Sequence, residues 1–146
     1  MDTIGKIFHL NFLGFSHWFI SISISQTKDN SISVDQARYA ISIVNKYLDF
    51  ATVKTSTKFY RTTFSYAMIF TKDGVSTSYE KVDNITREFN IHYRACIGSL
   101  IYLLCTRVDF SFSLHKLAKF SSNPGKVNFG GLVHLLIYIR DIKIWD

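Results

Sequence analysis

Eleven acidic residues, five histidines and two cysteines carry most of the reactive polar chemistry in this chain, and their spacing excludes most of what they could do. Two-metal phosphoryl transfer needs closely placed aspartates to hold magnesium. Here the acids are scattered as Asp2, Asp29, Asp35, Asp49, Asp73, Glu80, Asp83, Glu88, Asp109, Asp141 and Asp146, and the nearest sets fall in expected loops or helix ends. No histidine pairs with another histidine or a cysteine at metal-ligand spacing, and His115 and His134 read as surface residues on the polar sides of helices. No GxSxG elbow, SxxK arrangement or glycine-rich phosphate loop occurs. Gly130-Gly131, inside a helical pattern, is expected to permit close helix packing. An autonomous enzyme is not expected from these residues, and neither catalytic nor metal-binding residues are assigned.

What remains is positive charge. Seventeen Lys and Arg against eleven Asp and Glu give a formal charge of +6, which favours a polyanionic partner. The candidate contacts are Arg94, Arg107, Lys116, Lys119 and Lys126 on the last helices. Lys116 and Lys119 lie three residues apart on one face, away from the apolar stripe, where they could follow a phosphate backbone without reading base identity. A merely solvated basic surface is the alternative. Cys96 and Cys105, nine residues apart in one expected helix, point to opposite faces about 13 Å apart and cannot bridge. Both are expected as small core residues of a reduced, intracellular, non-secreted protein.

Between Lys6 and Lys28 no residue is charged, yet the stretch does not read as a membrane segment. His9, Asn11 and His17 interrupt it, and Ile20, Ile22 and Ile24 alternate with Ser21, Ser23 and Ser25, which is the period of a strand. No membrane partner is expected.

The elements that must position these residues begin with strands over 7–13 and 17–26 joined at Gly14, then a turn at Lys28-Asp29-Asn30 and a short strand over 31–34. Asp35 is a good N-cap for a helix with Ala37, Ala40, Ile41, Val44 and Leu48 on one face, packed on the meander. Residues 49–90 show no sustained period and read as a long irregular connector lying along another surface. Three helices follow. Their apolar stripes are Tyr93, Ile97, Leu100, Ile101 and Leu104, then Phe110, Leu114, Leu117 and Ala118, then Phe129, Leu132, Val133 and Leu136. Breaks fall at Thr106-Arg107-Val108-Asp109, where Thr106 or Asp109 could cap, and at Asn123-Pro124-Gly125. The expected fold is α+β: an antiparallel meander with one helix (1–48), a connector (49–90) and a helical part (91–146), together one incomplete domain. Apolar surface left uncovered in such a piece favours self-association.

The segment His92-Tyr93-Arg94-Ala95-Cys96-Ile97-Gly98-Ser99-Leu100-Ile101-Tyr102-Leu103, followed by Thr106-Arg107-Val108-Asp109, resembles the "YR..iGSLiYL..TRPD" block of Ty1/copia-type retrotransposon reverse transcriptases. Leu13-Gly14 with His17-Trp18-Phe19 resembles the family's "LG.lhwFLG" hairpin, and Gln36-Ala37-Arg38-Tyr39 its "Q..Y" helix start. Lys116 to Gly125 and Gly131 to Asp141 resemble the helices that close the region, so the likeness covers nearly the whole chain in the family's order.

The resemblance implies a piece of an RNA-directed DNA polymerase between the catalytic carboxylates and the RNase H region. The family's magnesium-holding aspartates, the "YVDD" type, precede the hairpin, and only Met1 to Phe12 precede it here, so no cofactor and no catalysis are expected. The hairpin, with Trp18, would belong to the palm edge that grips the primer end. The later helices would be thumb and connecting structure holding the template–primer duplex. Several positions depart from the pattern: "FLG" reads Phe19-Ile20-Ser21, "TRPD" has Val108 for proline, "TPL" reads Thr63-Phe64 without proline, and the usual histidine near the last helix is Asn128. Such departures suit a decaying genomic copy. The competing expectation is a basic helical module that binds a protein or an anionic membrane surface.

Overall fold

A computed structural model describes residues 17–48 and 79–142. The chain divides into two compact units, the first ending at Asp35 and the second beginning at Gln36. The expected strand over 7–13, its turn at Gly14, residues 49–78 of the connector and the Thr63-Phe64 position lie outside the described residues.

The first unit holds a three-stranded antiparallel sheet of β1 (Trp18–Phe19), β2 (Ile22–Gln26) and β3 (Ile32–Asp35), in that order. Isoleucine–serine alternation supports pairing of this kind because successive side chains point to opposite faces. The expected single strand over 17–26 is instead a hairpin. Trp18 pairs with Ser23 and Phe19 with Ile22, which leaves Ile20 and Ser21 as the turn, at φ 45° and 61°. Two successive positive φ angles reverse the chain in the sense that a two-residue hairpin requires. Because the turn contains an even number of residues, the apolar–polar alternation runs through it unbroken, so the pattern alone does not reveal the reversal.

The turn expected at Lys28-Asp29-Asn30 is present. Asn30, at φ 66°, takes a left-handed conformation that its short polar side chain tolerates. The Asp29 carboxylate accepts from the Thr27 hydroxyl and from the Ser31 amide and hydroxyl, and these bonds, Thr27's foremost, hold its pKa below the usual carboxylate value. Paired residues share a face, so the register puts Phe19, Ile22, Ile24, Ile32 and Val34 on one side of the sheet. Trp18, Ser23, Ser25, Ser33 and Asp35 take the other. Phe19, Ile32 and Val34 are all exposed.

Among the described residues of the second unit there are five helices: α1 (Ala37–Tyr47), α2 (Tyr79–Phe89), α3 (Tyr93–Leu103), α4 (Ser111–Ala118) and α5 (Lys126–Asp141). The α+β order is as the sequence indicates, with one helix more. Helix α2 occupies the end of the expected connector, where Val82, Ile85 and Phe89 sit at helical spacing for under three turns, too short a run to register as a sustained period. Ile85 and Phe89 pack against the core, and the Phe89 ring stacks on Phe129 at 5.3 Å.

Helix α1 buries Ala40, Ile43, Val44 and Tyr47, and this face meets α3 and α5. Its N-cap is Gln36, with no side-chain cap bond, so Asp35 closes β3 instead of capping the helix. The α3 stripe is rotated from the expected one. Cys96 and Leu103 are buried while Ile101 is exposed. Helix α5 is buried nearly all round from His134 to Ile139, as befits a central helix. His134 therefore belongs to the interior and not to a polar surface, whereas His115 is exposed as expected. Cys96 is buried, but Cys105, beyond the end of α3, is exposed.

At Gly130 a Cβ would meet nothing within 4 Å, so close packing does not explain that glycine. Neither Thr106 nor Asp109 caps α4, whose N-cap is Phe110. The stop at Asn123-Pro124-Gly125 does separate α4 from α5. There Asn128 supplies the cap: its Oδ1 accepts from the buried Gly125 N–H at 2.8 Å. The residue that stands where the resembled family has histidine thus satisfies an otherwise orphaned amide.

Candidate nucleic-acid interface

The residues that carry the family resemblance meet around α1 and α3. Gln36, buried at the start of α1, accepts through Oε1 from the Thr106 hydroxyl at 2.9 Å. Tyr39 donates to the Ser99 carbonyl at 3.3 Å and makes an edge-on ring contact with Tyr102 at 5.2 Å. Tyr47 and Ser99 approach through their hydroxyls at 3.5 Å. The "Q..Y" and "GSLIYL..TR.D" pieces are therefore one fastening between the two helices. None of these contacts presents reactive groups to a ligand.

Arg107, next in sequence to Thr106, belongs to a second cluster. Its Nε and Nη2 each donate to a different oxygen of Asp109 at 2.7 Å, a two-point geometry that uses the planar guanidinium fully. Its guanidinium also lies 5.7 Å from the centre of the Phe110 ring, and the side chain is only 11 % exposed. Tyr138 of α5 completes the cluster by donating to Asp109 Oδ2 at 2.9 Å. The Arg107 bond holds the Asp109 carboxyl below its usual range, with Tyr138 adding to it against partial desolvation. Tyr138 is pushed up by burial and then by the carboxylate it serves. Arg107 was a candidate phosphate contact; the structure commits it to Asp109.

The other cations differ. Lys126 pairs with Glu88 at 2.6 Å, but both side chains are more than half exposed, where such a pair contributes little. Arg94 and Lys119 are exposed. Lys116 places its Nζ 5.4 Å from the centre of the Phe112 ring. Arg94 also lines a cleft of about 500 Å³ with Thr86, His92, Ser121, Ser122 and Pro124, at the start of α3. A guanidinium, nearby hydroxyls and the first-turn amides of a helix are donors suited to phosphate oxygens, and among the described residues no carboxylate lines this cleft. Trp18 lies on β1 in the other unit, exposed, on the serine face of the sheet. The structure thus keeps Arg94, Lys116, Lys119 and Lys126 on the surface of the helical unit and withdraws Arg107.

Among the described residues, no group of His, Cys, Asp or Glu side chains could hold a metal ion. Burial pushes the Cys96 thiol up to about 12, which leaves it protonated and inert. No described helix is long and apolar enough to cross a membrane. The residue that sequence reasoning left out is Phe112. It stands four residues before Lys116 and seven before Lys119, one helix face by spacing, but its neighbours Phe110 and Leu114 carry the more obvious apolar stripe.

No family model, curated protein or solved structure matches this chain.

Proposed function

We propose that this chain is a remnant of a Ty1/copia-type reverse transcriptase that holds template–primer nucleic acid without catalysing its extension. The observation that carries the reading is the order of the motif pieces: the hairpin around His17-Trp18-Phe19, the Gln36-Tyr39 helix start, the Tyr93 to Asp109 block and the two closing helices. Support comes from the exposed cations Arg94 and Lys119 and the half-buried Lys116, on a chain of formal charge +6. The acids do not pair as a two-magnesium site requires, so the role is positioning and needs no cofactor.

Filter binding of a template–primer duplex at two salt concentrations tests this. With about three phosphate contacts, affinity falls roughly 40-fold between 50 and 200 mM salt. Affinity indifferent to salt, or absent at low salt, sinks the reading. Primer extension with magnesium by the purified chain would overturn the non-catalytic part.

A second reading, a basic module that docks on a protein or an anionic membrane surface, is favoured by the exposed apolar face of Phe19, Ile32 and Val34. Capture of the chain by anionic liposomes that a duplex oligonucleotide fails to displace decides for it.

A further inference from the structure

Helix α4 presents an aromatic ring and two cations on one exposed face. Phe112 is 64 % exposed, which is unusual for a ring of this size beside a well-filled core. Lys116 is one turn further on and Lys119 two turns, and the backbone at Lys119 keeps helical angles of φ −59° and ψ −24°. Helix α4 contains no acidic residue. The nearest carboxylate in sequence, Asp109, is held by Arg107 and Tyr138.

We propose that Phe112, Lys116 and Lys119 form a stacking site for single-stranded nucleic acid. The inference rests on the nucleic-acid reading above and names the form of strand the site takes. An aromatic ring exposed beside cations matches the two chemical parts of a nucleotide: the ring stacks on a base while the ammonium groups meet the phosphates. In a duplex the base faces are covered by their neighbours, so the ring contributes only with an unpaired strand or an end. The Lys116 ammonium over Phe112 orients both groups before any ligand arrives. From Phe112 to Lys119 the helix rises about 10 Å, roughly three stacked-nucleotide steps. Charge complementarity selects this occupant over an apolar protein segment, which would leave both lysines without counter-charge.

The test is fluorescence anisotropy of the full chain with a labelled oligothymidylate and with a blunt duplex of equal length. The wild-type chain binds the single strand more tightly. Phe112→Ala weakens single-strand binding about tenfold, as loss of one stacked base predicts, and leaves duplex binding within about twofold. Phe112→Tyr, which keeps a ring able to stack, retains single-strand affinity. The double variant K116A/K119A flattens the salt dependence of single-strand binding by roughly 1.4 in log–log slope, the share of two phosphate contacts. Circular dichroism of each variant establishes that it is folded.

If salt-sensitive binding is present but indifferent to Phe112→Ala, the stacking site is overturned and the broader nucleic-acid reading stands. If neither oligonucleotide binds at low salt, both fall. Anionic vesicles retaining the chain through Phe112, with no single-strand binding, overturn it in favour of a membrane surface.

Discussion

The two units use similar apolar residues to opposite ends. In the helical unit Leu100, Leu103, Phe110, Phe129, Leu132 and Leu135 are completely buried, because helices packed from several sides cover one another's stripes. In the sheet unit Phe19, Ile32 and Val34 sit on one face and remain exposed. A three-stranded sheet has only one face's worth of apolar side chains and no second layer within residues 17–35 to press them against. Apolar composition is therefore not a measure of core; a second layer is. The helical unit should carry nearly all of the chain's resistance to unfolding.

The most direct way to break this comparison is truncation in each unit. Leu100→Ala removes a fully buried side chain from α3 and is expected to destabilise the helical unit by about 2–5 kcal/mol. Ile32→Ser, at an exposed strand position, should change stability by less than about 0.5 kcal/mol while reducing self-association at high concentration. Denaturant titration and sedimentation of both variants give the two numbers. Equal destabilisation would mean that the sheet face is covered in solution.

A smaller effect probes the cluster that closes the helical unit. Asp109→Asn keeps the shape but withdraws the charge that both Arg107 nitrogens and Tyr138 address, and is expected to destabilise by about 2 kcal/mol. The pH dependence follows from the sign of the shift. Asp109 has a folded pKa below its ordinary 3.8, so its contribution is complete above that value and disappears as the pH falls through the folded pKa. Wild type should therefore lose its advantage over the variant below about pH 4. A difference that stays constant from pH 6 to pH 3 removes the ion pair as its cause.

The helical unit was largely legible in the sequence because helical periodicity is long-range evidence: the stripes of α3, α4 and α5 each recur over two or more turns. What was not legible depended on neighbours. Ile101 gives way to Leu103 between expectation and structure because a stripe read alone is uncertain in rotation, and packing against α1 fixes it. His134 looks polar in composition yet is buried because α5 is covered on all sides. Of the basic set, spacing placed Lys116 and Lys119 together, but no spacing shows that Arg107 is spent on an aspartate two residues away. Phe112 was hidden for the converse reason, since an aromatic residue in an apolar segment is assigned to the core until exposure is known.

Glycine sharpens the comparison at the scale of single residues. In α3, Gly98 is exposed in mid-helix and a Cβ there meets nothing within 4 Å, so the flexibility of glycine has no local use. In the hairpin the reverse holds: Ser21 sits at φ 61°, beside Ile20 at φ 45°, where a side chain is strained and the resembled family carries glycine. The chain thus has glycine where its own fold does not require it and lacks one where its turn does. Gly98→Ala is expected to raise the stability of the helical unit by about 0.5–1 kcal/mol. Ser21→Gly should slow hydrogen exchange at the Ile24 amide, which donates to the His17 carbonyl across the hairpin at 3.0 Å, by up to about fivefold, without moving the unfolding of the helices. Unchanged exchange at Ile24 would show that the turn is not what limits the hairpin, and a loss of stability in Gly98→Ala would show that something occupies the space beside Gly98 in solution.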